Sequence, residues 1–265
     1  MSLTDYKQEL DNRELAEGTK KLYLRNVKDF LKFIGDQEVS QTLLIEYKQK
    51  LLKKFKTSTV NTKIVIINNY LEFKDKDISV KQERVQRNNI LDDVLTETDF
   101  NRLIRMADTR CKPRERLTML IFYYTGIRVS ELPFVTVEAV KKGYVDIENK
   151  GKHRRVPINN KLKKELRKYI KDEGITKGSI IVNKKGDPLS RGYIFKQLKW
   201  IGGQARVKKD KVYPHSFRHL FAKQWLKHNN NNVLALADIL GHSSLETTRI
   251  YTTLSTNEQR DTISF

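Results

Sequence analysis

One stretch of the chain, residues 143–158, has the pattern of a β-hairpin, whereas apolar residues elsewhere recur mostly at helical spacing. Apolar and polar residues alternate over 145–147 and again over 156–158, and residues 149–152 between them are typical of a turn. The short apolar run 180–182 predicts a further strand. The sequence therefore predicts a mainly α-helical fold with a small antiparallel β-sheet.

Apolar stripes at helical spacing predict three helices within residues 1–80. The first contains Tyr23 and Ile34, the second follows Ser40 as its N-cap, and the third covers about 58–73. Basic residues occupy their polar faces, which is typical either of a solvated surface or of a small domain that grips DNA phosphates. The candidate DNA-contacting residues of this domain are Lys20, Lys21, Arg25 and Lys63.

Helical periodicity is lost after residue 74, and the charged segment that follows predicts a linker over residues 81–94. Such a linker is either solvated or follows a phosphate backbone. A second domain, residues 95–265, opens at a capping box formed by Thr96 and Asp99. The basic candidates of the linker are Arg84 and Arg87.

Glycines and a proline mark the ends of further helices in the second domain. Gly126 and Gly241 are the expected C-terminal stops of two helices. A third helix should begin near 188–190 and end or kink at residues 202–203. A basic loop precedes residue 213, and its candidate DNA contacts are Lys208 and Lys209.

The charge of the chain favours a polyanionic partner. Its 265 residues include 52 basic and 32 acidic ones, a formal net charge of +20, although a basic ribosome-type protein has a similar balance. The single cysteine, Cys111, excludes an internal disulfide framework and a cysteine-rich zinc site. The N-terminus lacks the layout of a signal peptide, and no apolar run is long enough to span a bilayer. We expect a cytoplasmic protein without membrane association.

Arg128 follows the helix-ending Gly126 and lies among apolar residues, so it should be partly buried. A buried guanidinium needs an anionic partner. Glu131 either supplies that partner as a structural ion pair, or orients Arg128 towards a ligand phosphate.

Residues 213–253 concentrate cations, imidazoles and a phenol. Pro214 favours helix initiation, so His215 and Arg218 share one helix face, and His219 lies one turn beyond His215. The zinc-protease pattern requires a glutamate directly after the first of two such histidines, where this chain has serine. We therefore predict no metal site.

A second short helix is predicted to start beside His242. Ser243 and Glu246 form a capping box, which places His242 just before a helix N-terminus suited to an anion. Tyr251 lies on or after that helix. Taken singly, His242 suits local hydrogen bonding and Tyr251 suits packing, but their combination with the upstream cations favours a reaction centre.

Such a set of side chains can perform phosphoryl transfer without a metal, a cofactor or ATP. Arg128 and Arg218 can clamp a phosphodiester and stabilise the charge of its transition state. A phenol, with a pKa of about 10, needs a base or nearby positive charge before it attacks. A lysine at the hairpin turn can protonate the leaving alkoxide; Lys150 is the first candidate and Lys152 the rival. Lys152 is also a candidate DNA contact.

The motifs resemble those of the tyrosine recombinases, the phage integrase group that includes Cre and the Xer-type enzymes. They follow the family's order over about residues 96–252. Pro133 departs from the pattern and predicts that the local helix stops early. The resemblance is carried by Thr-Gly-Ile-Arg-Val-Ser-Glu-Leu at 125–132, Lys-Gly at 150–151 with Arg-Val-Pro at 155–157, His-Ser-Phe-Arg-His at 215–219, and Leu-Gly-His-Ser-Ser at 240–244 leading to Thr-Thr at 247–248 and Tyr251.

The resemblance implies an N-terminal helical (SAM-like) core-binding domain followed by a tyrosine-recombinase catalytic domain. It implies that Arg128 and Arg218 bind the scissile phosphate. Tyr251 is the implied nucleophile, which forms a 3′-phosphotyrosine and releases a 5′-hydroxyl. Lys150 is the implied general acid.

The resemblance also implies supporting residues and an assembly. His215 would assist proton transfer with the tyrosine and His242 would hydrogen-bond the phosphate. Glu131 and His219 would support them from behind. The implied assembly is a homo-tetramer on two DNA duplexes with inverted-repeat half-sites, which acts through a Holliday junction in integration, excision or resolution of a DNA element. Accessory DNA-bending proteins are further candidate partners. The alternative functions are a type IB-like topoisomerase and a non-catalytic DNA-binding regulator.

Overall fold

The computed structural model describes residues 3–84, 94–149, 152–242, 244–249 and 251. The chain divides into two compact units, Met1–Asn88 and Asn89–Phe265, and each contains a hydrophobic core of its own. Among the described residues, none of the helices has both the length and the apolar character needed to cross a membrane.

The described part of the first unit is helical. The helices that match the predicted stripes begin with α2, and Ser40 caps α3 by accepting a hydrogen bond from the Leu43 amide at 3.2 Å, as predicted. The sequence pattern does not predict α1, because only Tyr6 and Leu10 of this helix face the core, too few to establish a period. The helices are α1 (Leu3–Asn12), α2 (Glu17–Ile34), α3 (Gln41–Lys54) and α4 (Thr57–Phe73).

The chain that leaves α4 is held against the first unit although its sequence lacks periodicity. Asn68 donates from Nδ2 to the Val80 carbonyl at 3.0 Å and accepts from the Val80 amide at 3.1 Å. Asn61, two turns earlier on α4, makes the same pair of bonds with Glu83, each of 2.8 Å. Side-chain amides thus satisfy the backbone groups of this irregular segment. The predicted linker continues into residues 85–93, which lie outside the described residues.

The second unit combines helices with a two-stranded antiparallel sheet, and the described residues confirm the predicted fold class. Residues Val129–Phe134, which include Pro133, form a short 3₁₀ turn. The helix after Arg128 therefore stops early, as the proline predicts. The other elements are α5 (Glu97–Thr109), α6 (Pro113–Thr125), α7 (Val137–Lys142), β1 (Tyr144–Asn149), β2 (Lys152–Pro157), α8 (Asn160–Asp172), α9 (Arg191–Gln204), a second 3₁₀ turn (Lys209–Lys211), α10 (Pro214–His228), α11 (Val233–Leu240) and α12 (Leu245–Arg249).

Local capping signals act as predicted. Thr96 and Asp99 exchange the two hydrogen bonds of a capping box at the start of α5. Gly126 and Gly241 end α6 and α11 in the left-handed conformation, with φ of 61° and 64°. Glycine is also required at Gly126 by space, because a Cβ there would lie 2.4 Å from Cδ1 of Phe221.

The predicted strand at residues 180–182 is wrong. In the described part of the chain this segment makes one isolated bridge, between Val182 and Pro188, and the neighbouring Ser179 makes another with Thr136, so no ladder develops. The residues are apolar because Ile180 and Ile181 fill the main core, not because they pair with a neighbouring strand. α9 reaches Gln204, one residue past the two glycines that were expected to end or kink it.

The hairpin presents one face to the main core. Val145 pairs with Val156 and Ile147 pairs with Arg154 in an antiparallel register. Val145, Ile147 and Val156 are buried, so Arg154 occupies an inward position on the same face. In the same core, α6 packs against α5, α8, α9 and α10. The core thereby brings the hairpin, the turn after α6 and the start of α10 together.

Candidate active site

The first turns of α10 carry two histidines and an arginine. Pro214 occupies the first helical position, as predicted. His215 and His219 then meet edge to face, with ring centroids 4.7 Å apart. His219 is buried, and its Nδ1 has no hydrogen-bond partner among the described residues. Burial, followed by the charges of His215 and Arg218, lowers the pKa of His219 to about 4.

Arg218 is buried to 1% exposure and is held by carbonyl groups. Nη1 donates to the Gly126 carbonyl and Nη2 to the Leu240 carbonyl, each at 2.7 Å. Both acceptors lie at helix ends, where carbonyls lack partners within the helix. Burial and the nearby positive charge of Arg128 lower the pKa of Arg218 to about 10. Arg218 thus remains charged at neutral pH, with its Nε lacking a partner among the described groups.

Arg128 and Glu131 form the ion pair that the sequence suggests. Nη1 of Arg128 lies 3.0 Å from Oε1 of Glu131, and the Arg128 amide donates to Oε2 at 2.7 Å. The Arg128 side chain is nevertheless 36% exposed, whereas that of Glu131 is 1% exposed. The two alternatives are therefore compatible: Glu131 is a structural partner, and Arg128 keeps an accessible edge for a ligand.

A second arginine, Arg154, binds the same carboxylate and was not among the predicted site residues. Its Nη1 and Nη2 donate to the two oxygens of Glu131 at 3.0 and 2.6 Å. Burial raises the pKa of Glu131, but the hydrogen bonds from Arg154 and Arg128 outweigh it and hold the pKa below its usual value. The signal for Arg154 was present in the sequence, since it shares the inward face of β2 with Val156.

His242 joins Arg218 to the last short helix. Its Nε2 lies 2.9 Å from Nη2 of Arg218, and its Nδ1 lies 2.7 Å from Oγ1 of Thr248. Arg218 can only donate, so Nε2 accepts and the ring proton lies on Nδ1. Burial, then the charges of Arg218 and Arg128, lower the pKa of His242 to about 4. Thr248, fully buried, is a further contact of the site to which the sequence analysis gave no role.

Tyr251 lies inside this group of side chains with 3% exposure. Its ring centroid is 5.0 Å from that of His219 and 5.9 Å from that of His242. Burial raises its pKa, against the opposing effect of the Arg218 and Arg128 charges. The hydroxyl lies near enough to Arg218 for the arginine's charge to affect its pKa. No described group, however, lies at a distance and angle that make a hydrogen bond with it.

His215 completes the group at its solvent-facing edge. The residue as a whole is exposed, but the protein packed around its imidazole lowers its pKa, and the charges of Arg218 and Arg128 lower it further. His215, His219 and His242 are thus all neutral at pH 7. A neutral imidazole can accept a proton from a phenol, which a protonated one cannot.

The structure brings together most of the predicted catalytic residues. Among the described side chains, three guanidinium groups and one carboxylate meet here, so this part of the site has an excess of positive charge that suits an anion such as a phosphodiester. Lys150 and Ser243 lie outside the described residues, as does the side chain of Lys152. The predicted general acid and the predicted cap beside His242 stay predictions.

The predicted DNA-contacting residues have different surroundings. Lys20 forms ion pairs with Asp11, at 2.6 Å, and with Glu17. Lys63 lies 2.5 Å from Oδ1 of Asn26, and burial lowers its pKa. The ammonium groups of these two lysines thus already bind side chains of the same chain. The remaining described candidates, Lys21, Arg25, Arg84, Lys208 and Lys209, have exposed side chains, and Arg87 lies outside the described residues.

Comparisons with known proteins agree on one family. Residues 93–258 match the model of the phage integrase family. Tyrosine recombinase XerD of Oceanobacillus iheyensis is 28% identical over 94% of this chain and 92% of its own length. Tyrosine recombinase XerA of Pyrococcus furiosus is 29% identical over 93% of this chain and 88% of its own length.

Solved structures show the same fold. XerH site-specific recombinase bound to difH substrate, in a pre-cleavage complex, is similar with a TM-score of 0.74 at 18% identity, covering 99% of this chain and 83% of that one. A lambda integrase tetramer bound to a Holliday junction is similar with a TM-score of 0.78 at 17% identity, covering 94% and 75% of the two chains.

Proposed function

This chain belongs to the phage integrase family, and we propose that it is a site-specific tyrosine recombinase that cleaves and rejoins DNA through a 3′-phosphotyrosine intermediate. The reaction needs neither metal nor ATP, because the energy of the broken phosphodiester is kept in the bond to the tyrosine. The names of its relatives, tyrosine recombinases XerD and XerA, support the reaction class.

The surroundings of the buried Tyr251 are the observation that carries the proposal. Burial by itself does not mark a nucleophile, since Tyr6 in the first unit is equally buried. The Tyr251 phenol lies against two imidazoles and beside a buried guanidinium. Those neighbours are the groups that a phenol requires in order to attack a phosphate, and a merely packed tyrosine requires none of them.

We assign the scissile phosphate to the two arginines that the sequence analysis selected. Arg128 contributes the exposed edge of its guanidinium and Arg218 contributes a charge fixed by two carbonyls. Fixed donors stabilise the extra negative charge of the pentavalent transition state without reorganising during the reaction. Tyr251 attacks phosphorus, the bond to the 5′ oxygen breaks, and a 3′-phosphotyrosine and a 5′-hydroxyl result.

Proton transfer completes the reaction. His215, with its lowered pKa, is neutral at pH 7 and takes the proton of Tyr251. Lys150 gives a proton to the leaving 5′ oxygen. His242 accepts from Arg218, so it must bind a proton on Nε2 before it can donate to a phosphate oxygen. The negative charge of the bound phosphate favours that protonated form.

We further propose that the enzyme acts as a homo-tetramer on inverted-repeat half-sites and passes through a Holliday junction during integration, excision or resolution of a DNA element. The lambda integrase tetramer bound to a Holliday junction supports this assembly by similarity of fold. The first unit would grip phosphates through exposed residues such as Lys21, Arg25 and Arg84. Each phosphate contact of this kind adds to the salt dependence of binding.

Trapping the intermediate tests the proposal. Duplexes that the protein selects from a random pool are synthesised with a nick beside the scissile phosphate, so that the cleaved end diffuses away. We expect a covalent protein–DNA adduct with the wild-type chain and none with Tyr251→Phe. Two such sites on one plasmid should then recombine; relaxation of supercoils without any recombinant product would instead identify a topoisomerase.

A further inference from the structure

We infer that Arg154 is a positioning residue for DNA cleavage: it neutralises Glu131 so that Arg128 stays available to the scissile phosphate. The inference rests on the proposed function and extends it to a residue outside the predicted set. We place Arg154 behind Arg128 and not on the substrate, since each of its three nitrogens already donates to the protein.

The contacts of Arg154 leave little of its guanidinium free. Nη1 and Nη2 form a bidentate pair with Glu131 at 3.0 and 2.6 Å, and Nε donates to the Ile239 carbonyl at 3.1 Å. The Arg154 side chain is 12% exposed. Two parallel N–H···O bonds are the strongest geometry available to an arginine and a carboxylate, and they fix both groups in orientation.

Arg128 is held more loosely by the same carboxylate. It has one side-chain contact with Glu131, at 3.0 Å, and a long contact of 3.4 Å between Nη2 and the Gly241 carbonyl. Its side chain is three times as exposed as that of Arg154, 36% against 12%. Arg128 therefore retains donors that can turn to a phosphate.

The charge of Glu131 explains why the second arginine matters. A carboxylate at 1% exposure needs a cation, because an unpaired buried charge is strongly destabilising. With Arg154 present, that requirement is met without Arg128. Without Arg154, Arg128 is the one described cation left in contact with Glu131 and is drawn into the bidentate position, where fewer of its donors are available to DNA.

Arg154 also ties this ion pair to the turn that carries His242. Its side chain lies against Gly241, where a Cβ would be 2.7 Å from Cδ of Arg154. The Ile239 carbonyl, which it caps, is one of the last in α11 and lacks a partner within the helix. One side chain on β2 thus holds the turn of Arg128 beside the end of α11. A shift of about 1 Å in the position of Arg128 can cost on the order of 100-fold in rate.

A matched pair of variants on β2 tests the inference. Arg154→Gln removes the proposed positioning group, and Arg155→Gln removes the same charge from the opposite face, where the exposed Arg155 pairs with Asp146. We compare single-turnover adduct formation on the nicked duplex described above, at saturating protein. Arg154→Gln should be about 30-fold slower than wild type and Arg155→Gln within about 3-fold.

A double-mutant cycle separates positioning from a general structural loss. If Arg154 acts through Arg128, adding Arg154→Gln to an Arg128→Ala background should change the rate by less than about 3-fold. An equal loss in both backgrounds would overturn the inference. Should Arg154→Gln fail to unfold cooperatively, Arg154→Lys replaces it in the same cycle, because it keeps the charge but cannot form the bidentate pair.

The outcome also distinguishes this inference from the proposed function. If the wild-type chain forms no adduct, the proposed function fails. If the wild type forms the adduct and Arg154→Gln reacts as fast as Arg155→Gln, the function stands and the role of Arg154 is wrong.

Discussion

Nη2 of Arg218 donates to Nε2 of His242 over 2.9 Å, and this contact fixes the tautomer of the histidine. The ring proton must then lie on Nδ1, where Thr248 accepts it at 2.7 Å. The chain of donors runs from the buried arginine to the buried threonine without a carboxylate. A neutral histidine held in this way leaves the full charge of Arg218 available to a phosphate.

Replacing Thr248 tests the role of this chain. Thr248→Val keeps the shape of the side chain but removes the acceptor of Nδ1, so the buried N–H loses its partner. We expect destabilisation by about 1–2 kcal/mol and adduct formation slowed by roughly 10-fold. Thr248→Ser, which keeps the hydroxyl, is the control and should react at close to the wild-type rate. Because Arg218 still donates to Nε2 in both variants, the ring proton should stay on Nδ1, and a shift of that proton to Nε2 in ¹⁵N NMR would contradict the assignment.

The buried histidines predict a loss of stability in acid. The folded-state pKa of His219 and of His242 is about 4, below the value of 6.5 for an ordinary histidine. Between these two values the unfolded chain binds protons that the folded chain does not, so the free energy of unfolding falls as the pH drops from about 6.5 to about 4. For His219 the fall is on the order of 3 kcal/mol at the acid end, and it is smaller for the more exposed His242.

Urea unfolding at several pH values checks this dependence. His219→Gln should unfold with a shallower pH dependence than wild type over that window. His153→Gln removes an exposed histidine on β2 and serves as the control for loss of an imidazole. Glu131 adds a separate contribution at lower pH, because its lowered pKa stabilises the folded state until the carboxylate is protonated. Parallel curves for His219→Gln and wild type would refute the prediction.

Signals within a few residues of one another predicted the structure best. The capping box at Thr96, the helix stop at Gly126 and the inward alternation of β2 depend on neighbours in the chain, and the structure confirms them. The residues of the reaction centre were selected largely through the resemblance to a family. Their spacing alone did not decide whether Arg128 and Glu131 form a structural ion pair or a site for a ligand phosphate.

Contacts between residues far apart in the chain could not be predicted from the sequence. Arg154 reaches a carboxylate 23 residues away, and Arg218 reaches a carbonyl 92 residues away. Neither partner can be chosen from periodicity, because the choice depends on how α6, α10 and the hairpin pack. The hydrogen bonds from Asn61 and Asn68 to the segment after α4 were missed for the same reason. That segment is held by side-chain amides, so its sequence shows no helical or strand periodicity.

Gly126 offers a direct test of how tightly the site is packed. Its φ is 61°, and a Cβ would lie 2.4 Å from Phe221 and 3.0 Å from Leu240. Gly126→Ala should therefore destabilise the second unit by about 1 kcal/mol for the backbone strain and by a further 1–3 kcal/mol for overpacking. Because the Gly126 carbonyl accepts from Arg218, we also expect slower adduct formation.

Gly143→Ala is the matched control for that variant. Gly143 also ends a helix in the left-handed region, with φ of 89°, but its added Cβ would meet nothing nearer than Nζ of Lys163 at 3.5 Å. It should show the backbone strain without the overpacking and react at the wild-type rate. Equal thermal destabilisation of Gly126→Ala and Gly143→Ala would show that Phe221 moves aside at little cost.

Tyr251→Phe separates the chemistry of the hydroxyl from its effect on stability. The Tyr251 hydroxyl is buried without a partner among the described groups, so its removal should leave the free energy of unfolding unchanged or raise it by about 1 kcal/mol. Covalent adduct formation should be abolished. Tyr6→Phe removes an equally buried and unpartnered hydroxyl in the first unit, and it should affect stability in the same direction while the adduct still forms. Destabilisation of Tyr251→Phe by more than about 2 kcal/mol would mean that the hydroxyl is held by a strong bond, and the nucleophile would then have to be released before it could attack.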